Sequence, residues 1–193
     1  HAVFGGGGVA GETVLIQGGA GTVGFLAVQL AKWGGAKVIA SCSPRDAEMV
    51  SKAGADAVFD YRDPELAAKV LEANDGAPVE TIVETEFGLN INTDTEVIAP
   101  NGRIAAYGSA AEMSPTLPFY PLLFKAVTID IVLIYLLPAG PREQAITRLH
   151  HALDDGALHC PVDSLLPLAE AARAHELVEA GQRSGAVLLD CQG

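Results

Sequence analysis

The chain of 193 residues is poor in several things that other kinds of protein depend on. Cations are scarce: 12 Lys and Arg stand against 24 Asp and Glu, a formal charge of −12. No stretch concentrates basic residues, so a nucleic-acid backbone or an anionic membrane would meet repulsion, and neither is expected as a partner. Cysteine is rare too. Cys42, Cys160 and Cys191 are odd in number and lack C-x-x-C spacing, which excludes a disulfide framework and a Cys-rich zinc site and points to a reducing, cytoplasmic compartment. The longest apolar run, Ala126 to Leu137, holds Asp130 and is well short of the roughly 20 residues of a membrane-spanning helix. There is no basic start followed by a small-residue cleavage site, so no secretory signal is expected.

What the chain does have is apolar residues (49%), 21 glycines and 11 prolines. That Gly and Pro content stays below the roughly 25–30% of low-complexity sequence, so the glycines have local work to do. A single domain over 1–193 is expected, since a globule of this size buries roughly 70% of its unfolded surface.

From Gly11 to Ser109 the chain alternates. Thr13–Ile16 is a short run without polar alternation, as in a strand covered on both faces. Thr22–Trp33 sets Val23, Leu26, Ala27, Leu30 and Ala31 at helical spacing, and Gly34-Gly35 stops it. Lys37–Ser41, Ala57–Phe59, Val79–Val83 and Arg103–Tyr107 read as further strands. Helices are expected over Arg45–Ala53, after an Asp63-Pro64 start, and over Asn90–Ile98, with a turn at Pro100-Asn101-Gly102. Beyond it, Ala110–Pro118 reads as a loop and Val127–Leu137 as a sixth strand. Arg142–Leu153 and Leu168–Ala180 read as helices and Gly185–Leu189 as the last strand. This rhythm predicts an α/β fold, a doubly wound, mostly parallel sheet of Rossmann type in three layers.

The chemistry sits in Gln17-Gly18-Gly19-Ala20-Gly21-Thr22-Val23-Gly24, where Gly19, Gly21 and Gly24 form G-x-G-x-x-G. The pattern has meaning because it follows a strand and opens a helix. One glycine permits the turn, a second admits a pyrophosphate to the backbone, and a third lets helix and strand pack closely. The unpaired amides and partial positive charge of the helix start then hold the phosphates without a lysine. A glycine turn in a flavodoxin-like domain without nucleotide is the plainer alternative.

NAD sites usually place Asp or Glu about 20 residues further on, at the end of the second strand. Here that stretch reads Ser41-Cys42-Ser43-Pro44-Arg45, with no carboxylate before Asp46. Two hydroxyls and a guanidinium favour a 2′-phosphate, hence NADP(H), although Arg45 also reads as an ordinary surface charge.

Several segments then resemble one family. The glycine segment with Gln29-Leu30-Ala31-Lys32, then Ala53-Gly54-Ala55-Asp56 and Asp60-Tyr61-Arg62, are similar to the zeta-crystallin-type quinone oxidoreductases of the medium-chain dehydrogenase/reductase superfamily. So are Asn101-Gly102-Arg103-Ile104, Tyr107-Gly108-Ser109 and Gly185–Asp190. The resemblance implies a zinc-free reductase that passes a hydride from NADPH to a quinone or related electron-poor acceptor. It implies the cofactor-binding part only, with an N-terminal GroES-like catalytic domain missing before His1 and the isolated fragment inactive. Gly21 to Val23 would sit on the pyrophosphate, and Ser41, Ser43, Arg45 and Tyr61 around the 2′-phosphate. Gly108, Ser109, Ile134 and Tyr135 would lie towards the nicotinamide. The catalytic residues stay unassigned. An enoyl reductase module of the same superfamily, or a nucleotide-binding module without turnover, are the alternatives. A homodimer is expected through the Val127–Leu137 strand, which the resemblance makes an edge.

Other polar residues are weaker candidates. His150 and His151 are adjacent on a helix and diverge, so no metal site is expected. Glu84 and Glu86 flank Thr85 at a strand end, either lining the nicotinamide pocket or solvated in a loop. Cys42 has no base beside it and reads as unreactive. Tyr61 either covers the adenosine or packs on the following helix.

Overall fold

The structure is a computed structural model that describes residues 1–181, 183 and 185–192. The chain divides into two compact units, His1–Ala157 and Leu158–Gly193, where the sequence shows no recognisable linker.

In the first unit six strands, β1 (Thr13–Ile16), β2 (Lys37–Cys42), β3 (Ala57–Asp60), β4 (Val79–Glu84), β5 (Ile98–Ala106) and β6 (Thr128–Ile131), form one sheet in the order β3-β2-β1-β4-β5-β6. Every pairing is parallel, with Ile16 beside Ala40 of β2 and Val83 of β4. The chain runs outward from β1 to β3 and then crosses to β4, so strand order reverses between β1 and β4. In such sheets that reversal opens a crevice at the carboxyl ends.

The two-residue period of a strand builds both cores. Val14, Ile16, Val38 and Ala40 pack on one face with Ala27, Val28 and Ala31 of α1 (Thr22–Trp33) and Val50 of α2 (Ala47–Lys52). Leu15, Ile39, Ile82 and Ile104 pack on the other with Leu66 and Val70 of α3 (Leu66–Ala73), Phe87 and Ile91 of α4 (Phe87–Val97), and Leu122 of α5 (Phe119–Phe124). Helices on both faces make three layers. The first unit ends with α6 (Ala139–Asp154). The second unit holds β7 (Val162–Pro167), paired in parallel with β8 (Ala186–Asp190), and α7 (Ala171–Ala180) between them in sequence. No helix among the described residues is long and apolar enough to cross a membrane.

Several expectations need correction. Val23 is 50% exposed, and the buried face of α1 is Gly24, Phe25, Ala27, Val28, Gln29 and Ala31. The helix after Asp63-Pro64 starts at Leu66, with the Asp63 carboxylate accepting from the Glu65 amide at 2.9 Å. The Pro100–Gly102 turn lies inside β5, where Val79 pairs Ile98 and Thr81 pairs Arg103, so the intervening residues bulge out. The sixth strand is only Thr128–Ile131. Leu133 leaves it, Ile134–Leu136 coils into a 3-10 turn, and no strand beyond pairs it there among the described residues. The strand β7 and the short helix α5 were not legible.

Candidate functional site: a glycine cradle at the sheet reversal

At the carboxyl end of β1 the chain turns through Gly18, whose φ of +69° is left-handed backbone that favours glycine. A Cβ there would lie 2.5 Å from the Thr85 methyl. Gly19 is buried, and its amide donates to the Ser41 carbonyl at 2.8 Å. At Gly24 a Cβ would come within 2.2 Å of the Gly18 carbonyl oxygen, so only glycine lets α1 start this close to the turn that feeds it. Gly21 is the N-cap of α1 and brings no side chain to cap it. The first helical hydrogen bond runs from the Phe25 amide to the Gly21 carbonyl at 2.7 Å. Gly21, Thr22 and Val23 are exposed while Gly24 behind them is buried. The result is a bare, solvated rim of backbone with a helix start behind it, the arrangement that binds phosphate through amides and helix dipole. Ala20 is half-buried in the same turn.

The neighbouring strand ends frame this cradle. Ser43 is half-buried at the start of a 3-10 turn over Pro44–Asp46. Arg45 is half exposed, and its guanidinium lies on Asp46, with Nε to Oδ1 at 3.2 Å and Nη2 to Oδ2 at 3.3 Å. Its charge is therefore already paired. Tyr61, just past β3, is half exposed, with the Arg62 guanidinium 4.8 Å above its ring. Arg62 is a second cation at this end of the sheet that the motif reading did not single out.

Ser41 does not stand where the resemblance put it. Its side chain is fully buried, with Oγ donating to Gln17 Oε1 at 2.5 Å and accepting from the Gly18 amide at 3.3 Å. The hydroxyl supports the turn from beneath and is not open to a phosphate.

On the other side of the reversal, Gly108 follows β5. Its carbonyl accepts from the Phe87 amide, and a Cβ on it would meet the Thr85 carbonyl oxygen at 2.4 Å. Ser109 Oγ accepts from the Gly88 amide at 2.9 Å and donates to the Glu112 carbonyl. Both tie the β5 exit to the start of α4. Ile134 and Tyr135, 49% and 83% exposed, follow β6.

Glu84 is no solvated loop residue. It is fully buried at the end of β4, its Oε1 accepting from the Glu86 amide and from Asn90 Nδ2 at 3.0 Å. Glu86 turns its carboxylate to the amides of Ala110 and Ala111, at 3.1 and 2.9 Å. Asp94, also fully buried, accepts from Gln17 Nε2 at 3.0 Å. Burial pushes the Asp94 carboxyl well above the ordinary range, and the neighbouring Glu84 charge pushes it the same way. Burial raises Glu84 as well, against the lowering effect of its hydrogen bonds. Cys42 is buried and its thiol is pushed up to about 11, first by burial and then by Asp46 and Asp60. Among the described residues, no group of three or more His, Cys, Asp or Glu could hold a metal ion.

Known proteins are similar to this chain in sequence and in fold. A quinone oxidoreductase of Sus scrofa is 28% identical over 170 residues, 86% of this chain and 50% of its own length. A phenolphthiocerol/phthiocerol polyketide synthase polypeptide of Mycobacterium tuberculosis is 29% identical over 184 residues, 93% of this chain and 8% of its own. A trans-enoyl reductase of Alternaria alternata is 47% identical over 64 residues, 33% of this chain and 19% of its own. A mycobacterial protein solved in complex with NADPH superposes with a TM-score of 0.80 at 27% identity, over 93% of this chain and 57% of that one. The chain thus spans about half the length of the quinone oxidoreductase it matches and a small part of the synthase. The family model described as zinc-binding dehydrogenase matches residues 22–150, the stretch from the cradle helix through β6 into α6, and the chain belongs to that family, within the medium-chain dehydrogenase/reductase superfamily.

Proposed function

We propose that this chain is the NADP(H)-binding part of a zinc-independent quinone oxidoreductase, in which hydride passes from NADPH to a quinone or similar electron-poor acceptor. The observation that carries the reading is the cradle: exposed backbone at Gly21–Val23, backed by glycines whose Cβ positions are occupied by neighbours, at the point where strand order reverses. The residues fit a dinucleotide, since linked phosphates need amides and room rather than side chains.

Bound there, the reduced nicotinamide supplies the hydride. The chain's own residues bind and orient. Thr22 and Val23 present amides to the pyrophosphate, while Gly21, whose own amide donates to the Gly18 carbonyl at 3.0 Å, leaves the approach clear of a side chain. Ser43, Arg45, Tyr61 and Arg62 flank the adenosine end, where β2 closes without a carboxylate of its own. A 2′-phosphate would draw Arg45 away from Asp46, exchanging one anion partner for another. Gly108 and Ser109 shape the opposite wall beside α4.

An enoyl reductase is the second reading, favoured by the similarity to the Alternaria trans-enoyl reductase. A homodimer through the β6 edge is part of the proposal, supported by exposed Ile131, Leu133, Tyr135 and Leu136 on and after that strand. Fluorescence titration of the chain with NADPH and with NADH tests the cofactor reading. Tenfold or tighter binding of NADPH is expected, and equal affinities would refute the preference. Steady-state assay of the isolated chain with a quinone is expected to give little or no turnover, because the remaining wall of the acceptor site would come from elsewhere in the whole protein. Full turnover by the chain alone would contradict that division of labour.

A further inference from the structure

Strand alternation stacks a polar layer on an apolar one. Leu15, Ile39 and Ile82 lie on the face covered by α4, and two residues on, at the same face, stand Gln17, Ser41 and Glu84. All three are buried, and Asp94 meets them from α4 in the stripe of Phe87 and Ile91. A continuous chain of hydrogen bonds results. The Gly18 amide donates to Ser41, Ser41 to Gln17, and Gln17 to Asp94, whose carboxyl neighbours that of Glu84 and is raised by its charge.

That last contact does not balance between two ionised acids. Glu84 Oε2 and Asp94 Oδ2 are buried and have no donor among the described residues. Neighbouring carboxylates offer only acceptors, and buried acceptors without a donor are unstable by desolvation and repulsion. One proton resolves both atoms at once.

We propose that Asp94 and Glu84 share a single proton, and that this acid–carboxylate pair is the positioning device that holds Gln17, Ser41 and, through them, Gly18 of the cradle. Asp94 carries the proton on Oδ2 and donates it to Glu84 Oε2, leaving Oδ1 to accept from Gln17. Glu84 keeps the negative charge because it has the better donors, the Glu86 amide and Asn90. The direction of both shifts agrees, Asp94 being raised by burial and by the Glu84 charge. The other titratable groups nearby do not replace this proton. Tyr107, beyond β5, is itself raised by burial and by Glu84, and Glu86 faces Ala110 and Ala111. Among the described residues, neither acid is in a salt bridge with a lysine or arginine. The meaning of the device for cofactor binding rests on the nucleotide-binding reading above, whereas the shared proton and the hold on Gly18 do not.

Three variants of the chain test it without cofactor. A carboxyl raised in the folded state binds its proton there more tightly, so stability falls as pH rises from the ordinary carboxylate range towards the raised value. In Asp94→Asn the amide donates permanently to Glu84 and still accepts from Gln17. Its folding equilibrium should therefore lose one proton of pH dependence, about tenfold per pH unit, relative to the parent over that window. The infrared carbonyl band of a buried protonated carboxyl should be present in the parent and absent from Asp94→Asn. Hydrogen exchange should show the Gly18 amide protected in the parent and in Asp94→Asn, and at least tenfold less protected in Asp94→Ala. Glu84→Gln, whose amide can donate to an ionised Asp94, should also lose the band, and keeps the test open if Asp94→Ala does not fold. An unchanged pH slope together with no carboxyl band would overturn the shared proton. Equal Gly18 protection in Asp94→Ala and the parent would overturn the positioning role. If these hold and the parent binds no NADPH, the nucleotide reading fails while the device stands. If NADPH binds, Asp94→Ala should weaken it about tenfold and Asp94→Asn should restore it.

Discussion

The β1–α1 and β4–α4 junctions lie side by side at the carboxyl edge of the sheet, yet they turn from strand to helix by opposite chemistry. After β1 the chain sheds side chains: Gly18, Gly19 and Gly24 let the turn and helix pack closely, and bare backbone at Gly21 faces solvent. After β4 it buries them, with Glu84 sealed in and its charge met by an amide, an asparagine and Asp94. A turn that must receive an anion cannot contain one, because like charge would cost what the amides contribute. The negative group is kept one strand away and beneath the surface, where it works on the turn through neutral Gln17 and Ser41. Thr85 ties the two together, its methyl abutting Gly18 and its carbonyl abutting Gly108.

Substitutions at the two junctions should therefore fail differently. The largest loss is expected at Gly24→Val, where the side chain would run into the Gly18 carbonyl with no flexible group to give way. About 3 kcal/mol or more should disappear from urea unfolding. Glu84→Ala should cost about 2 kcal/mol in the same measurement, since the Glu86 amide and Asn90 lose a buried acceptor. Gly18→Ala should cost about 1–2 kcal/mol from left-handed backbone alone, and more with Thr85 in place. In a Thr85→Ser background the methyl is gone, so a double-mutant cycle should recover part of that cost. The smallest effect concerns reactivity. With its thiol raised to about 11 and buried, Cys42 should lag exposed Cys160 and Cys191 in alkylation at pH 8. Two fast thiols and one slow one are expected by mass spectrometry, and three equal rates would show that the β2 end opens readily.

The same contrast explains what was legible in the residues. Around the first junction the signals are local. The apolar run Thr13–Ile16, the glycine pattern and the Gly34-Gly35 stop place β1 and α1 at the bounds the structure has. Around the second they are tertiary. Glu84 and Glu86 look alike in sequence, and only pairing with β1 and β5 and cover from α4 bury one of them. Asp94 in the Phe87–Ile91 stripe was a usable sign, because an acid at a core position of a helix needs a partner. So was the recurrence of Gln17, Ser41 and Glu84 two residues after Leu15, Ile39 and Ile82. Ser41 was misplaced for the same reason: its position at a strand end suggests exposure, while the strand period turns it inward. The long Val127–Leu137 strand failed because β-branched residues report propensity, and a strand ends where its partner does. Here β5 pairs only as far as Ala106 with Ile131.

Backbone amide shifts during titration with NADPH test the cradle most directly. The account predicts that Gly19, Gly21, Thr22 and Val23 shift together and saturate at one dissociation constant, and that Gly21→Val, still folded, abolishes those shifts. Saturable binding that leaves these four amides unmoved, or that survives Gly21→Val unchanged, would contradict it.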